Sequence, residues 1–337
     1  MELFYYSEGL GIEDRYKKFL KEFYKERFEA KWARYKWYSK IKGYHVLLAE
    51  IDGELVGQSC ACPCQLSIGG EVRTIYWSVD SFVLTICRGK GVGKALQKKL
   101  HEDHEGFSST SYSSVNGHIK IKCGAHPIST TNFYYYPISS FVSLYFSFAV
   151  NKLFNKHLGI IRFRNLYVKS NYSKDIIIKE ESGWNSKDVE FANHTLSSRY
   201  DMYVYRDDMY MKWKYNENPS VSYIILKVVT KENIVGIVSV SKPSIEVFAG
   251  IPLSVVKILD FFNPLNSGLS DKELLNNIKT WIAKNYQDVD VIMGVTDIAT
   301  LLKIKYHTRR FLTNLKNIPP VQKPYISCMD QDVEQMQ

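Results

Sequence analysis

The sequence predicts a mixed α/β (α+β) fold built as two similarly ordered halves. Three observations carry this. The run Trp77 to Ile86 is strand-like and feeds the glycine-rich turn Arg88-Gly89-Lys90-Gly91-Val92-Gly93-Lys94, which opens a helix reaching about Glu105. Strand-like pairs around tight turns precede it. The same order of elements then returns about 180 residues later.

In chain order, residues 11–30 form the first helix candidate. Ile12, Tyr16, Phe19, Leu20, Phe23 and Phe28 recur there at roughly helical spacing. Tyr44 to Glu50 and Glu54 to Ala61 alternate about an Asp52-Gly53 turn and predict a β-hairpin. Gln65 to Ile68 and Val72 to Val83 predict two further strands around Gly69-Gly70. After the glycine-rich turn and its helix, Ile119 to Cys123 predicts a fifth strand. The polar-aromatic run Thr131 to Tyr136 is expected on the next helix.

A strand that turns through glycines into a helix is an anion cradle. Backbone N–H groups converge, the helix dipole favours negative charge, and the missing Cβ atoms let phosphate oxygens approach. The spacing separates the phosphate ligands. A phosphate-binding loop of the G-x-x-x-x-G-K-[ST] type needs one more residue between its glycines and a hydroxyl where Ala95 stands. The dinucleotide fingerprint G-x-G-x-x-G needs its third glycine one position later. The pattern met by Arg88, Gly91 and Gly93 is Arg/Gln-x-x-Gly-x-Gly/Ala. With its flanking strand and helix, it resembles the motif with which the Gcn5-related N-acetyltransferase (GNAT) superfamily cradles the pyrophosphate of acetyl-CoA. The resemblance runs over about residues 40–136.

That resemblance implies two GNAT-like domains, each a mostly antiparallel central sheet flanked by helices, over residues 1–150 and 151–337. It implies acetyl-CoA as acyl donor, no metal, and a small amine-bearing acceptor. Ser81, Phe82 and Val83 would hold the pantetheine, and Gly89, Lys90, Gly91, Val92, Gly93 and Lys94 the pyrophosphate, beside Arg88. Asn132 falls where relatives often touch the cofactor. The family's general acid is commonly a tyrosine, for which Tyr134 or Tyr135 is the candidate. Asp80 stands near where relatives place a carboxylate base, with His126 as a second candidate. An unassisted water chain is the third option. His101 and His104 are expected to face solvent.

The repeat ties the halves together. Tyr44 and Gly57 match Tyr223 and Gly236 at an offset of 179, and Asp80 matches Asp260 at 180. Lys31-Trp32 is echoed by Lys212-Trp213, and the helix after the loop by Asp271 to Lys284. The run Arg206 to Tyr215 resembles the start of the second half in two-domain bacterial GNAT proteins, many of them linked to cell-surface polysaccharide synthesis. Opposite the glycine-rich turn, however, stands Gly268-Leu269-Ser270-Asp271-Lys272-Glu273. Two acids there would repel a phosphate, and Ser270 or Asp271 reads as an N-cap. The second copy is therefore expected not to bind CoA.

Composition narrows the partners. The net charge of +9 is spread evenly, with 19 basic and 15 acidic residues up to 150 and 25 and 20 after it. No basic arm points to nucleic acid. The apolar stretch Phe141 to Val150 is too short to span a bilayer, and no signal segment is evident, so a cytoplasmic protein is expected. Cys60, Cys62 and Cys64 lack zinc-knuckle spacing and read as reduced core residues. Cys87 would need a histidine and an orienting group to act as a nucleophile. The leading expectation is an acetyl-CoA-dependent N-acetyltransferase acting on an amine, first among them a nucleotide-linked amino sugar. Peptide, polyamine or amino-acid acylation, and a non-catalytic CoA-binding module, stay open beside it.

Overall fold

The computed structural model describes residues 1–7, 9–110, 112–138, 176–219, 222–231, 233–248, 251–286, 288–295 and 304–327. The domain boundary expected at 150/151 and the run Phe141–Val150 lie outside them.

The first half opens with β1 (Glu2–Tyr6), α1 (Glu13–Tyr24) and α2 (Phe28–Tyr38). The single helix expected over 11–30 is thus two. Lys25, at a φ of +50°, ends the first, and a 3₁₀ turn redirects the chain. Tyr16, Phe19 and Leu20 face the core as their spacing predicts. The sheet follows with β2 (His45–Ile51), β3 (Glu54–Ile68) and β4 (Glu71–Val83), antiparallel in turn. The two strands expected over 54–61 and 65–68 are one, despite Pro63. That proline falls between the last pair with β2, at Ala61, and the first with another neighbour, at Leu66. A missing N–H is tolerated where no second strand needs it.

Next come α3 (Val92–Asp103), β5 (Phe107–Ser109), α4 (Ser114–Lys122) and β6 (His126–Pro137). Two expectations are overturned here. Ile119 to Cys123 is helical rather than a strand: the Ser113 side chain caps α4 by accepting from the Asn116 N–H at 3.2 Å. Thr131 to Tyr136 lies in a strand rather than a helix, as its run of aromatic and β-branched residues favours.

The second half repeats the order. It comprises β7 (Ile177–Glu181), α5 (Ser186–Arg199), β8 (Met202–Val204), β9 (Tyr223–Thr230), β10 (Asn233–Ser241), β11 (Ser244–Phe248) and β12 (Ile251–Phe262). It ends with α6 (Asp271–Asn285), β13 (Val291–Val295), β14 (Ile304–Thr313) and β15 (Pro324–Tyr325). The matched glycines do the same job in each half. A Cβ on Gly57 would come within 3.1 Å of Val92 in α3, and one on Gly236 within 2.9 Å of Leu274 in α6. Each glycine lets its helix settle closely onto the sheet.

The halves share one sheet and exchange strands. Among the described residues the main path runs β1-β2-β3-β4-β5-β14-β6-β13-β12-β10-β9-β7. β14, from the second half, lies between β5 and β6 of the first, while β6 continues onto β13 of the second. The exchange is reciprocal about the β6–β14 pair. The same reciprocity appears in Trp37 and Trp213. Their rings stack at 4.2 Å, and each indole N–H donates to the other's main-chain carbonyl, at 2.9 and 3.1 Å.

This pair is expected to hold the halves together. Trp37→Ala should cost about 3–5 kcal/mol from lost aromatic burial. Trp213→Phe should cost about 1–2 kcal/mol, because the Trp37 carbonyl loses its donor. Urea unfolding measures both.

Candidate active site

The site begins where two parallel strands part. β4 and β5 pair only at Tyr76–Phe107 and Trp77–Ser108. Beyond Trp77, β4 runs on six residues to Val83, and the edge it turns toward β5 opens into a cleft of about 810 Å³. That volume suits a cofactor-sized ligand.

A bulge shapes the strand at this point. Gln58 stands opposite Phe82 but Cys60 opposite Val79, so Asp80 and Ser81 together face the single residue Ser59. Asp80 takes a φ of +46°, a conformation aspartate tolerates better than most residues. Its main-chain carbonyl accepts from Gln58 Nε2 at 3.0 Å. Its carboxylate faces Arg34 Nη1 at 3.7 Å and Lys31 Nζ at 3.9 Å, both from α2. The matching Asp260 is fully buried against Arg206, at 2.9 Å, and accepts a hydrogen bond from Tyr215. Both aspartates therefore anchor the bulged strand to a cation, which accounts for the repeat of that residue.

The turn after β4 closes the cleft's end. Thr85–Cys87 form a 3₁₀ turn, Gly89 takes a φ of +81°, and Gly91 caps α3 at +85° with no side chain to bond the helix. Ala95 is the residue whose N–H reaches back to the Gly91 carbonyl. The N–H groups of Val92, Gly93 and Lys94 precede it, in the first turn, where a helix supplies no acceptor. All three residues line the cleft, with Arg88, Gly89 and Gly91. A Cβ on Gly91 would meet open space, so its φ is what demands glycine. The second half has closed the same position. Ser270 and Glu273 form a reciprocal capping box, and Asp271 is held bidentate by Arg199 at 2.6 and 2.8 Å.

The floor of the cleft is a ring of polar side chains. Ser81 Oγ lies 2.6 Å from Ser59 Oγ, which accepts from Gln97 Nε2 at 2.9 Å. Lys120 Nζ donates to Gln97 Oε1 and meets Ser78 Oγ, each at 2.8 Å. Ser78 and Ser81 close the ring at 3.4 Å. Lys120 is 1% exposed, and burial pulls its pKa from 10.5 down to about 7.

The expected residues divide sharply. Asp80, Ser81, Phe82, Val83, Arg88, Gly89, Gly91, Val92, Gly93 and Lys94 are brought together around this cleft, with Cys87 beside them. Lys90 is exposed and is not part of its wall. Asn132 lines a different depression of about 550 Å³, with Arg310 and Lys323. Tyr134 and Tyr135 lie on β6, and neither lines the cleft. Tyr135 is 4% exposed in an apolar cluster of the second half, and Tyr134 packs against another. His126 is exposed at the start of β6. His101 and His104 do not face solvent as expected. They pack on Phe107 and Tyr76, and burial holds both near pKa 4.

Tyr112, Ser78, Gln97 and Lys120 are among the lining or floor residues that the sequence did not point to. Tyr112 reaches the cleft from the loop before α4, where a Cβ on Gly117 would come within 2.5 Å of its ring. Gly117, a glycine inside a helix, was the available signal.

No family model and no curated protein sequence matches this chain. Solved structures do. A GCN5-related N-acetyltransferase from Anabaena variabilis is similar at a TM-score of 0.62, over 94% of this chain and 73% of its own, with 12% identity. One from Kribbella flavida reaches 0.54 over 93% and 70%, with 10% identity. N-myristoyltransferase from Saccharomyces cerevisiae, solved with myristoyl-CoA, reaches 0.51 over 85% and 74%, with 13% identity. The chain thus has the GNAT fold, and its two halves repeat that fold's order.

Asp80→Asn keeps the tolerance for a positive φ and removes the charge facing Lys31 and Arg34. It should lower stability by about 1–2 kcal/mol. Thermal unfolding at neutral pH and low salt checks this.

Proposed function

We propose that the cleft binds an acyl-CoA and that the chain is an N-acyltransferase, moving an acetyl group from acetyl-CoA to a primary amine by direct attack. The observation that carries this reading is the parting of β4 from β5 into a cleft that ends on the uncapped, glycine-turned N-terminus of α3. The pyrophosphate would sit on the amides of Gly89 to Lys94, beside the cations of Arg88 and Lys94. The pantetheine would lie along Ser81, Phe82 and Val83, on the strand edge that β5 has left. A thioester so placed meets N–H donors that can stabilise the oxyanion as the amine attacks.

Tyr112 is the phenol on the cleft wall. It takes the proposed role of proton donor to the departing thiolate in place of Tyr134 or Tyr135. Asp80, held between two cations, positions the bulge rather than serving as base. We assign the chemistry to residues 1–150 and a supporting role to 151–337, whose matching helix start is filled by Ser270, Asp271 and Glu273. An amino sugar, nucleotide-linked and serving cell-surface polysaccharide, is the acceptor class we favour. Its support is the resemblance of Arg206 to Tyr215 to two-domain bacterial proteins of that kind. A cytoplasmic location fits the free cysteines Cys60, Cys62, Cys64, Cys87 and Cys123.

Acetyl is favoured as the acyl group because aromatic rings border the cleft beside the bulge. Phe82 stacks on Phe23 at 3.6 Å and on Phe19 at 5.2 Å.

Calorimetry with CoA should show binding to the wild type. Gly91→Asp and Gly93→Asp should each weaken it more than about 100-fold, through repulsion of the pyrophosphate and, at Gly91, strain at positive φ. Ser270→Gly should leave it within about twofold. Unchanged CoA affinity in a folded Gly91→Asp chain contradicts the site. Thiol release with amines should be at least about tenfold faster from acetyl-CoA than from myristoyl-CoA, one extra methylene in a tight pocket being worth about tenfold or more. The reverse preference would show an acyl tunnel beyond Phe82.

A further inference from the structure

We infer that Lys120 is the proton acceptor of the cleft, acting through the hydroxyl of Ser78. This rests on the acyl-CoA reading of the cleft above. A lysine buried this deeply is normally matched by a carboxylate. Here its partners are Ser78 Oγ, Gln97 Oε1 and the face of the Phe107 ring at 4.7 Å. Among the described residues no carboxylate lies within ion-pair distance of Nζ. The titratable groups that couple to it are His101 on α3, held neutral near pKa 4, and Cys123 at the end of α4, whose thiol burial pushes up. Neither supplies a counter-charge. The amine form is therefore the form this pocket accommodates near neutral pH.

The ring gives the exchangeable proton one route. In either state Lys120 keeps an N–H for Gln97 Oε1, which fixes the amide so that Nε2 donates to Ser59. Ser59 Oγ, which accepts there, shares a further proton with Ser81 Oγ at 2.6 Å, and either hydroxyl can donate it. The hydrogen bond whose direction follows the charge of the lysine is Ser78–Lys120. With neutral Lys120, Ser78 donates to Nζ; with the ammonium, Nζ donates to Ser78 and the added charge faces the Phe107 ring. Ser78 also lines the cleft, beside Ser81.

In the transfer, the acceptor nitrogen bonds to the thioester carbon and the C–S bond breaks, its electron pair leaving with sulfur. The proton shed by the nitrogen passes to Ser78 Oγ as the Ser78 proton passes to Lys120 Nζ. The ammonium then returns a proton to solvent through the same hydroxyl, balancing the one the thiolate takes up. Products are the amide and the free thiol, with Lys120 neutral again.

The test uses the full-length wild type, Lys120→Met and Ser78→Ala. Its first arm is urea unfolding from pH 6 to 10. Below about pH 7 both folded and unfolded wild type hold the lysine proton, and the cost of burying it is complete. Above it the folded chain has shed the proton while the unfolded chain keeps it, up to the ordinary 10.5. Relative to Lys120→Met, the wild-type unfolding constant should fall about tenfold per pH unit across that window, and Ser78→Ala should keep this signature. The second arm is thiol release from acetyl-CoA with glucosamine, spermidine and lysine. The wild-type rate should rise through about pH 7. Both variants should lose that limb and fall about 100-fold at neutral pH, with CoA affinity unchanged. A pH-independent stability difference, or a limb that survives in Lys120→Met, overturns the inference. Wild type that binds no CoA overturns the acyl-CoA reading instead, and the first arm still decides whether Lys120 titrates. Should Lys120→Met fail to fold, Ser78→Ala in the second arm decides.

Discussion

The structure turns on two pairs of residues. β4 and β5 are parallel neighbours at Tyr76–Phe107 and Trp77–Ser108 and nowhere further. Main-chain groups that a sheet would have satisfied are left facing a cleft, and buried polar groups require partners. The rest of the first half serves that parting. The bulge at Asp80–Ser81 turns the strand, and Arg34 and Lys31 hold the aspartate that makes the bulge. Gly57 lets α3 lie low on the sheet, so that its N-terminus arrives at the end of the opening. α4 and Tyr112 then wall the side that β5 vacates.

The second half shows the same frame with the helix start filled. β12 carries a bulge beside Asp260, as β4 does beside Asp80, and Gly236 seats α6 as Gly57 seats α3. The difference lies in a handful of side chains. Where α3 begins on a bare glycine, α6 begins on Ser270 and Glu273 bonded to each other and on Asp271 clamped by Arg199. The Glu273 carboxylate takes the Ser270 amide and the Ser270 hydroxyl the Glu273 amide, while the two acids put negative charge at the positive end of the helix dipole that an anion would need. The strand exchange of β6 and β14, with the Trp37–Trp213 stack, then joins a copy with a bare helix start to one with a capped helix start.

Local signals were legible in the sequence, and long-range ones were not. The turn into α3, the 44–61 hairpin and the Ser270 cap depend on residues close in the chain and form as expected, and Gly57 and Gly236, matched by direct repetition, take equivalent places in the two halves. Ile119 to Cys123 misled because alternating isoleucine and lysine reads as a strand, whereas a capped helix packed over Phe107 takes those residues. Tyr134 and Tyr135 misled because β6 leaves the first half for the second, which no local pattern announces. His101 and His104 looked exposed by helical spacing, yet Tyr76 and Phe107 cover them. Lys120 was one of 44 basic residues until the fold buried it without a carboxylate.

CoA is proposed to lie where β4 parts from β5, with its pyrophosphate on the start of α3. Amide hydrogen exchange with and without CoA tests it directly. Adding CoA should protect the amides of Phe82 and Val83 and of Gly89 to Lys94, with no protection gained over Gly268 to Leu275. Protection equal in both halves, or none from Phe82 to Lys94 at saturating CoA, would contradict it.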